Sequence, residues 1–392
     1  MGAPTVSRVV SVGLNPLGVA VDERTHRAFV LSSGVLSTAT PGVARYSLTL
    51  FDALTGRVLR TIRFGPHQYI FAATIDESLG HLLLAVNSAV TPTDTPGGIG
   101  SLLVLDEASG AILRRIVVGP TIDDFEVDER AGHLFVATVG KAKSKAKAPP
   151  RLRVLSATTG ALLRTFAVDD NGMDVDTRTG RVAVLEPNDV RILDASTGQE
   201  RTLPVIGDEI AIDGRTGHIL VDEINAGGGI SLPNIQVIDE ASGKNINLPL
   251  GRSSDYDGGQ GLLVDERAGL VFTNYQDSYR HMNVINVVST RDGHPVAQLG
   301  LDSDGNAAVS MDLDEQANRL YVADARPLPN QTTVVYGPTQ VYVYDVLSGN
   351  LVRAVTASGV GPPIITVDAQ DRRVFIANSG GNTITVLDMA HL

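Results

Sequence analysis

Apolar and polar residues follow one pattern that recurs along the whole chain. A short apolar strand ends in aspartate, a polar turn follows, and a second apolar strand begins, as in GVAVDERTHRAFV at 18–30, FEVDERAGHLFVA at 125–137 and ITVDAQDRRVFIA at 365–377. Short apolar runs bounded by Gly, Asp and Thr predict strands rather than helices. The strand-ending aspartates are Asp22, Asp76, Asp128, Asp176, Asp213, Asp265, Asp314 and Asp368. The pattern therefore occurs eight times.

A second pattern follows each of the first seven copies. It is a strand, a turn of the type D-A-x-T-G, and another strand, as in LTLFDALTGRVLRTIRFG at 48–65. Each repeat thus holds four strands, which is the composition of a propeller blade. We predict an all-β fold, a single closed β-propeller domain of eight four-stranded blades over residues 1–392. Blade four, at 173–205, is the shortest, so seven blades plus an irregular segment is the alternative.

The eighth repeat has only three strands of its own. The chain ends at Leu392 soon after NTITVLD, with no room for a fourth strand. Residues 8–13 read RVVSVG and lead into the first repeat as RTIRFG at 60–65 leads into the second. We therefore predict that the N-terminal strand joins the C-terminal blade, which closes the ring and protects its last sheet edges.

The last two repeats resemble a known family. RLYVADARP at 319–327 and RRVFIANSGGNTITVLDMA at 372–390 are similar to the YVTN-type β-propeller repeat, and the resemblance extends through nearly the whole chain. It implies a propeller without a known activity, in an extracytoplasmic location. In that case the sequence is a mature domain without its leader, and a cytoplasmic location stays open.

Composition narrows the range of partners. The net charge of −12 argues against nucleic acid or an anionic membrane as the main partner. The chain has no cysteine, which excludes disulfides and thiolate chemistry. No apolar run reaches the roughly 18 residues of a membrane helix, so we expect no membrane insertion. A monomer is expected.

The two faces of the predicted ring differ in loop length. The turns between strands one and two and between strands three and four are short throughout, and we call their side the tight-turn face. The connections between strands two and three vary widely, from residues 32–46, 87–100 and 324–340 to a short turn at 186–189. Variable loops on a rigid scaffold commonly bind ligands. We predict that this loop-rich face binds a small molecule or a protein.

Acidic residues and one asparagine gather in the links that enter the innermost strands, at the mouth of the channel. They belong to blades three to seven and are Asp124, Asp169, Asn171, Glu209, Asp255, Asp257, Asp302 and Asp304. One interpretation is that Asp and Asn are good turn residues. The other is a site for Ca²⁺ or Mg²⁺, because converging carboxylates favour a hard cation. Lactonases with six-bladed propellers hold a catalytic cation at this channel position, although none of their sequence motifs occurs here.

Two histidines are candidates for catalysis. His67 and His281 fall in loops on the mouth side, where they could act in acid/base chemistry or bind a haem iron. No zincin helix, G-x-S-x-G elbow or phosphate-binding glycine loop is found. The first functional hypothesis is therefore a non-enzymatic binding propeller. The second is a metal-dependent hydrolase, lactonase or lyase, and the sequence does not decide between them.

Overall fold

Strands make up nearly all the regular structure. The computed structural model describes residues 6–34, 45–66, 68–88, 98–139, 149–169, 172–223, 234–250, 261–277, 282–301, 308–326, 328 and 336–389. Within these ranges the only helix is a single 3₁₀ turn at Ser379–Gly381. No helix among them is long and apolar enough to cross a membrane.

The strands are numbered β1 to β32 in chain order. The first ten are β1 Val6–Ser11, β2 Pro16–Asp22, β3 Arg27–Ser32, β4 Ser47–Asp52, β5 Val58–Arg63, β6 Gln68–Asp76, β7 His81–Ser88, β8 Ile99–Asp106, β9 Ile112–Gly119 and β10 Ile122–Asp128. The next eleven are β11 His133–Thr138, β12 Arg151–Ser156, β13 Leu162–Ala167, β14 Met173–Asp176, β15 Arg181–Glu186, β16 Asp189–Asp194, β17 Glu200–Leu203, β18 Glu209–Asp213, β19 His218–Glu223, β20 Asn234–Asp239 and β21 Asn245–Pro249. The last are β22 Leu262–Asp265, β23 Leu270–Asp277, β24 Met282–Ser289, β25 Pro295–Gly300, β26 Ala308–Asp314, β27 Arg319–Ala325, β28 Pro338–Asp345, β29 Leu351–Val360, β30 Pro363–Asp368, β31 Arg373–Asn378 and β32 Thr383–Asp388.

Eight antiparallel sheets of four strands form a ring. Blade one is β2–β5, blades two to seven follow in fours, and blade eight is β30, β31, β32 and β1. The first strand of every blade lies beside the first strands of both neighbouring blades, so these eight strands surround the central channel. The prediction of eight blades is confirmed, and blade four has its full four strands, β14 to β17.

Burial follows the position of a strand within its blade. Second and third strands are buried on both faces, as in β3 and β4, because neighbouring blades pack against each side. Fourth strands alternate between exposed and half-buried residues, as in β5, because they form the rim of the ring. This packing explains why second strands are continuous apolar runs, whereas fourth strands mix polar and apolar residues.

The N-terminal strand closes the ring as predicted. β1 pairs antiparallel with β32, with Val10 opposite Ile384. Beyond β1, the N–H of Val12 donates to the carbonyl of Asn382 in blade eight at 3.1 Å. The N–H of Ser33 in blade one donates to the carbonyl of Asn15, also at 3.1 Å. The segment after β1 is therefore bonded to the last blade on one side and to the first blade on the other.

The eight strand-ending aspartates are buried turn residues. Each is at most 1% exposed. In every one, Oδ1 accepts the backbone N–H three residues later, over 2.7 to 3.2 Å; the donors are Thr25, Leu79, Ala131, Thr179, Thr216, Ala268, Ala317 and Asp371. These bonds satisfy the turn N–H groups at the tight-turn face, and they account for the recurrence of aspartate at this position.

Candidate functional site

Three of the ten predicted site residues lie in the part of the chain that the structure describes. They are Asp124, Asp169 and Glu209. His67, Asn171, Asp255, Asp257, His281, Asp302 and Asp304 lie outside the described residues. The structure therefore describes one predicted residue of the acidic mouth in each of blades three, four and five.

Asp124 and Glu209 lie on the innermost strands rather than in the links. Asp124, in β10, accepts the N–H of Phe125 at 2.8 Å and is also hydrogen-bonded to the backbone of Met173 in blade four. Glu209, the first residue of β18, accepts the N–H of Gly261 in blade six at 3.2 Å. An innermost strand is a sheet edge whose outward N–H groups lack a strand partner. Each carboxylate therefore caps the edge of the next blade.

Three more carboxylates, which the sequence patterns did not predict, lie along the innermost strands. Asp174 accepts the N–H of Ile212 in the next blade at 2.7 Å, and Asp312 accepts that of Val367 at the same distance. Glu126 lies on β10 between Asp124 and Asp128, and all three residues are on the same face of the strand. The signal was present in the alternating acids of DDFEVD and MDVD. Asp174 and Asp312, each two residues before the terminal aspartate of its strand, bond to the neighbouring blade rather than to the turn.

Burial raises the pKa of these channel carboxyls. Burial, together with the nearby charges of Asp174 and Asp124, raises the pKa of Glu126 to about 8. Burial also raises the pKa of Asp174 and of Asp312 to about 6, although backbone N–H donors oppose the shift in both. The pKa values of Asp124 and Glu209 are raised by the same cause. Of these carboxyls, Glu126 has the pKa that lies above neutral pH, so it keeps its proton at pH 7.

Asp169 differs from the other two described candidates. Its side chain is exposed, and its backbone N–H donates to Oε1 of Glu186 at 2.9 Å. Over the described ranges, no group of three or more His, Cys, Asp or Glu side chains is placed to hold a metal ion. The described carboxylates are spread along the channel, and four of them each accept a backbone N–H of the next blade: Asp124, Asp174, Glu209 and Asp312.

Asp222 was not predicted, and it lies opposite Glu209 in the β18–β19 pairing. Oδ2 of Asp222 accepts the hydroxyl of Thr273 in blade six at 2.7 Å. Oδ1 of Asp222 and Oε2 of Glu209 are buried without a hydrogen-bond partner. Burial raises the pKa of Asp222 to about 7, with Glu209 and Asp208 adding to the shift. Two carboxyls with unsatisfied oxygens therefore lie at the loop-rich end of blade five.

A cavity of about 720 Å³ opens at the loop-rich ends of blades eight and one. We call it the seam cavity, because its walls are the segment after β1 (residues 11–14) on one side and β4 and β5 on the other. Thr49 lies at its buried end with 1% exposure, while Arg45 and Arg63 are exposed at its rim. Among the described residues that line it, none is acidic. The predicted binding face thus carries a concave site, but at the periphery of the ring rather than at the channel mouth.

Comparisons with known proteins support the fold. No protein-family model matches the chain, and a search of curated proteins finds no match. BamB from Moraxella catarrhalis is 12% identical with a TM-score of 0.60, covering 99% of this chain and 100% of that one. The β-propeller domain of Cps50 (Swd1) from Myceliophteria thermophila is 11% identical with a TM-score of 0.54, covering 99% and 100%. Hydrazine synthase from Kuenenia stuttgartiensis is 15% identical with a TM-score of 0.55, covering 82% and 96%. These likenesses establish a β-propeller and carry no function across.

Proposed function

We propose that the chain is a recognition propeller that binds a small-molecule or protein ligand through the loop-rich face. The seam cavity carries this proposal, because it is a concave site of small-molecule size at the strand ends of that face. The YVTN-type assignment and an extracytoplasmic location belong to the same proposal and rest on the sequence patterns of the last two repeats.

The tight-turn face is the less suitable face for binding a ligand, because many of its polar groups are already bonded within the protein. The terminal aspartates of all eight innermost strands bond to their own turns. Side chains next to them link neighbouring blades: Oε1 of Glu129 accepts the N–H of Glu77, and Oε1 of Glu266 accepts that of Gly214, both at 2.9 Å. Polar groups committed to turns and to blade contacts are not free to recognise a ligand.

A ligand screen followed by hydrogen–deuterium exchange tests the proposal. The full chain is screened by thermal shift against organic acids, phosphorylated sugars and neutral sugars, and each binder is mapped by exchange. We expect protection in peptides covering residues 11–14, 45–49 and 61–66. Protection confined to the tight turns, at 53–57 and 107–111, would place recognition on the opposite face and contradict the proposal.

A divalent cation at the channel mouth is a second proposal, with hydrolase, lactonase or lyase chemistry as its consequence. The unsatisfied oxygens of Glu209 and Asp222 favour it, because Ca²⁺ and Mg²⁺ take oxygen ligands. These two carboxyls alone fall short of the six to eight oxygens that Ca²⁺ takes. They would hold part of the coordination shell, and a bound cation would polarise a carbonyl or lower the pKa of a water molecule.

Calcium titration tests this second proposal. If a cation binds at this point, millimolar Ca²⁺ or Mg²⁺ raises the melting temperature of the wild-type chain and has a much smaller effect on Asp222→Asn. Asparagine keeps an oxygen for the hydroxyl of Thr273, so the variant preserves the local hydrogen bond. Asp239→Asn, on the tight-turn side of the same blade, is the matched control. Equal shifts in all three proteins, or no shift in any, would contradict a site at Glu209 and Asp222.

A further inference from the structure

The seam cavity carries positive charge in an acidic protein. Arg45 and Arg63 lie at its rim, and in the described part of the chain neither guanidinium forms an ion pair with a carboxylate. The net charge of the chain is −12. At physiological ionic strength the Debye length is about 8 Å, so the two guanidinium groups at the rim act on a molecule in the cavity more strongly than distant carboxylates do. An unpaired arginine presents a planar fork of N–H donors suited to carboxylate or phosphate oxygens.

The hydroxyl at the buried end of the cavity also lacks a partner. Thr49 is 1% exposed, and its Oγ1 has no hydrogen-bond partner. It lies opposite Thr61 in the β4–β5 pairing, and Ser47 lies opposite Arg63 one step further along. Residues at alternate positions of paired strands share a face of the sheet. A polar ladder of three hydroxyls and one guanidinium therefore faces the cavity.

The other blades show why the cavity occurs where it does. The third-strand position of Thr49 is occupied by Arg153 in blade three, Arg191 in blade four and Gln236 in blade five, and each lies opposite Thr or Asn on the fourth strand. These long side chains fill the space and are hydrogen-bonded. Arg153 donates to the hydroxyl of Thr138 at 3.0 Å, and Gln236 donates to the carbonyl of Ile206 at 2.7 Å.

Blade one carries the shorter Thr49 at this position, and the hydroxyl of Thr49 has no hydrogen-bond partner. Blade eight also has a threonine here, Thr385, but its hydroxyl accepts a side-chain N–H of Asn378 at 2.9 Å. The side chain of threonine is shorter than that of glutamine or arginine, so Thr49 leaves part of this space empty and forms no side-chain hydrogen bond there. The approach of the segment after β1 is also close. A Cβ at Gly13 would lie 2.3 Å from Oγ of Ser47, so only glycine lets this wall pack where it does. The cavity is therefore built by specific residues of this one blade.

We propose that the seam cavity binds a small organic oxyanion, a molecule bearing a carboxylate or a phosphate group. Arg45 and Arg63 pair with the oxyanion, and the hydroxyls of Ser47, Thr49 and Thr61 bond the polar part of the molecule. The volume of about 720 Å³ suits a metabolite rather than a bare inorganic ion. This inference rests on the proposed function and adds a ligand class and a location to it.

Calorimetric titration of the full chain with matched ligands tests the inference. Glucose 6-phosphate and citrate supply the phosphate and carboxylate forms, and glucose is the neutral control. We expect both anions to bind with a dissociation constant of about 1 mM or tighter, and glucose to bind far more weakly. Arg63→Gln is expected to weaken anion binding by about tenfold or more, because a charge-assisted hydrogen bond is lost. Arg45→Gln should weaken it in the same direction.

Two further variants make the test specific to the cavity. Thr49→Leu places the residue of blade two (Leu103) in blade one and fills the buried end while both arginines stay, so binding should also be lost. Arg57→Gln removes the same charge from the tight-turn end of the same blade and should leave binding unchanged. If Thr49→Leu fails to fold, the exposed Arg45→Gln and Arg63→Gln still decide the question.

The outcomes separate this inference from the proposed function. Anion binding that Arg63→Gln and Thr49→Leu leave unchanged would overturn the inference. Binding of a neutral sugar with protection at residues 11–14 and 61–66, and no binding of either anion, would overturn the inference and leave the proposed function standing. If no binder protects the loop-rich face, both fail.

Discussion

Deletion of residues 1–11, which removes β1, is expected to cost the ring most of its stability. The deletion exposes the edge of β32 and takes Val10, which is 4% exposed, out of the cluster formed with Phe51, Phe375 and Ile384. An unpaired long edge invites association with other chains. We expect a fall in melting temperature of more than about 10 °C and soluble oligomers on size-exclusion chromatography. A synthetic peptide of residues 5–13, added in trans, should restore part of the stability.

Two adjacent substitutions in β1 distinguish the contribution of its buried face from that of its exposed face. Val10→Asp puts an unpaired carboxylate into a buried site, and several kcal/mol of stability should be lost. Val9→Asp makes the same change on the other face of the strand, where Val9 is 49% exposed, and its cost should stay within about 1 kcal/mol. Chemical denaturation measures both. Equal losses of stability in the two variants would contradict closure through β1. So would a deletion variant that melts at the same temperature as the full-length chain.

The second large effect is a loss of stability between pH 6 and pH 8 that depends on Glu126. A free glutamate has a pKa of 4.5, whereas Glu126 has a pKa of about 8 in the folded chain. Between these values the folded state keeps a proton that the unfolded state has released. Stability therefore falls as the pH rises through this window, by about 1.4 kcal/mol per pH unit for one such group. Asp174 and Asp124, the carboxyls that face Glu126, shift in the same direction.

Glu126→Gln should remove this part of the pH dependence. The variant cannot ionise, so between pH 6 and pH 8 it should lose about 2 kcal/mol less than the wild-type chain does. Asp194→Asn is the control, since backbone and hydroxyl donors in its turn lower the pKa of Asp194 to about 2 and it does not titrate in this range. Urea denaturation at four pH values measures the effect. Parallel pH profiles for wild type and Glu126→Gln would contradict a buried protonated carboxyl in the channel.

The sequence was sufficient for the fold because the strand patterns repeat eight times. Each terminal aspartate marks a buried turn, and the RVVSVG segment at 8–13 is similar enough to RTIRFG at 60–65 to predict the closing strand. Local periodicity and turn chemistry are properties of adjacent residues, so they can be read without knowing distant contacts. That is why the shared last blade was predictable from one sequence.

The candidate site was less predictable because it depends on contacts between blades. Glu126 and Asp174 lie within strands, and only the ring geometry places them against the edge of the next blade. The seam cavity was missed because it results from a short side chain, Thr49, at a position where blades three and four carry Arg153 and Arg191. An alignment of the third strands by their terminal Asp or Ser would have shown this difference. Arg45 and Arg63, at the rim, would then have been candidates for ligand binding.

The central claim is that recognition belongs to the loop-rich end of the blades, and the absence of cysteine from the chain allows a direct measurement. Single cysteines are placed at Leu14, which lines the seam cavity and is not assigned a bond to the ligand, and at Val58, at the tight-turn end of blade one; both residues are exposed. The rate of maleimide modification is measured with and without the strongest binder from the ligand screen. The account predicts that the ligand slows modification at position 14 and leaves the rate at position 58 unchanged. Slower modification at position 58 alone, or no change at either position, would contradict it.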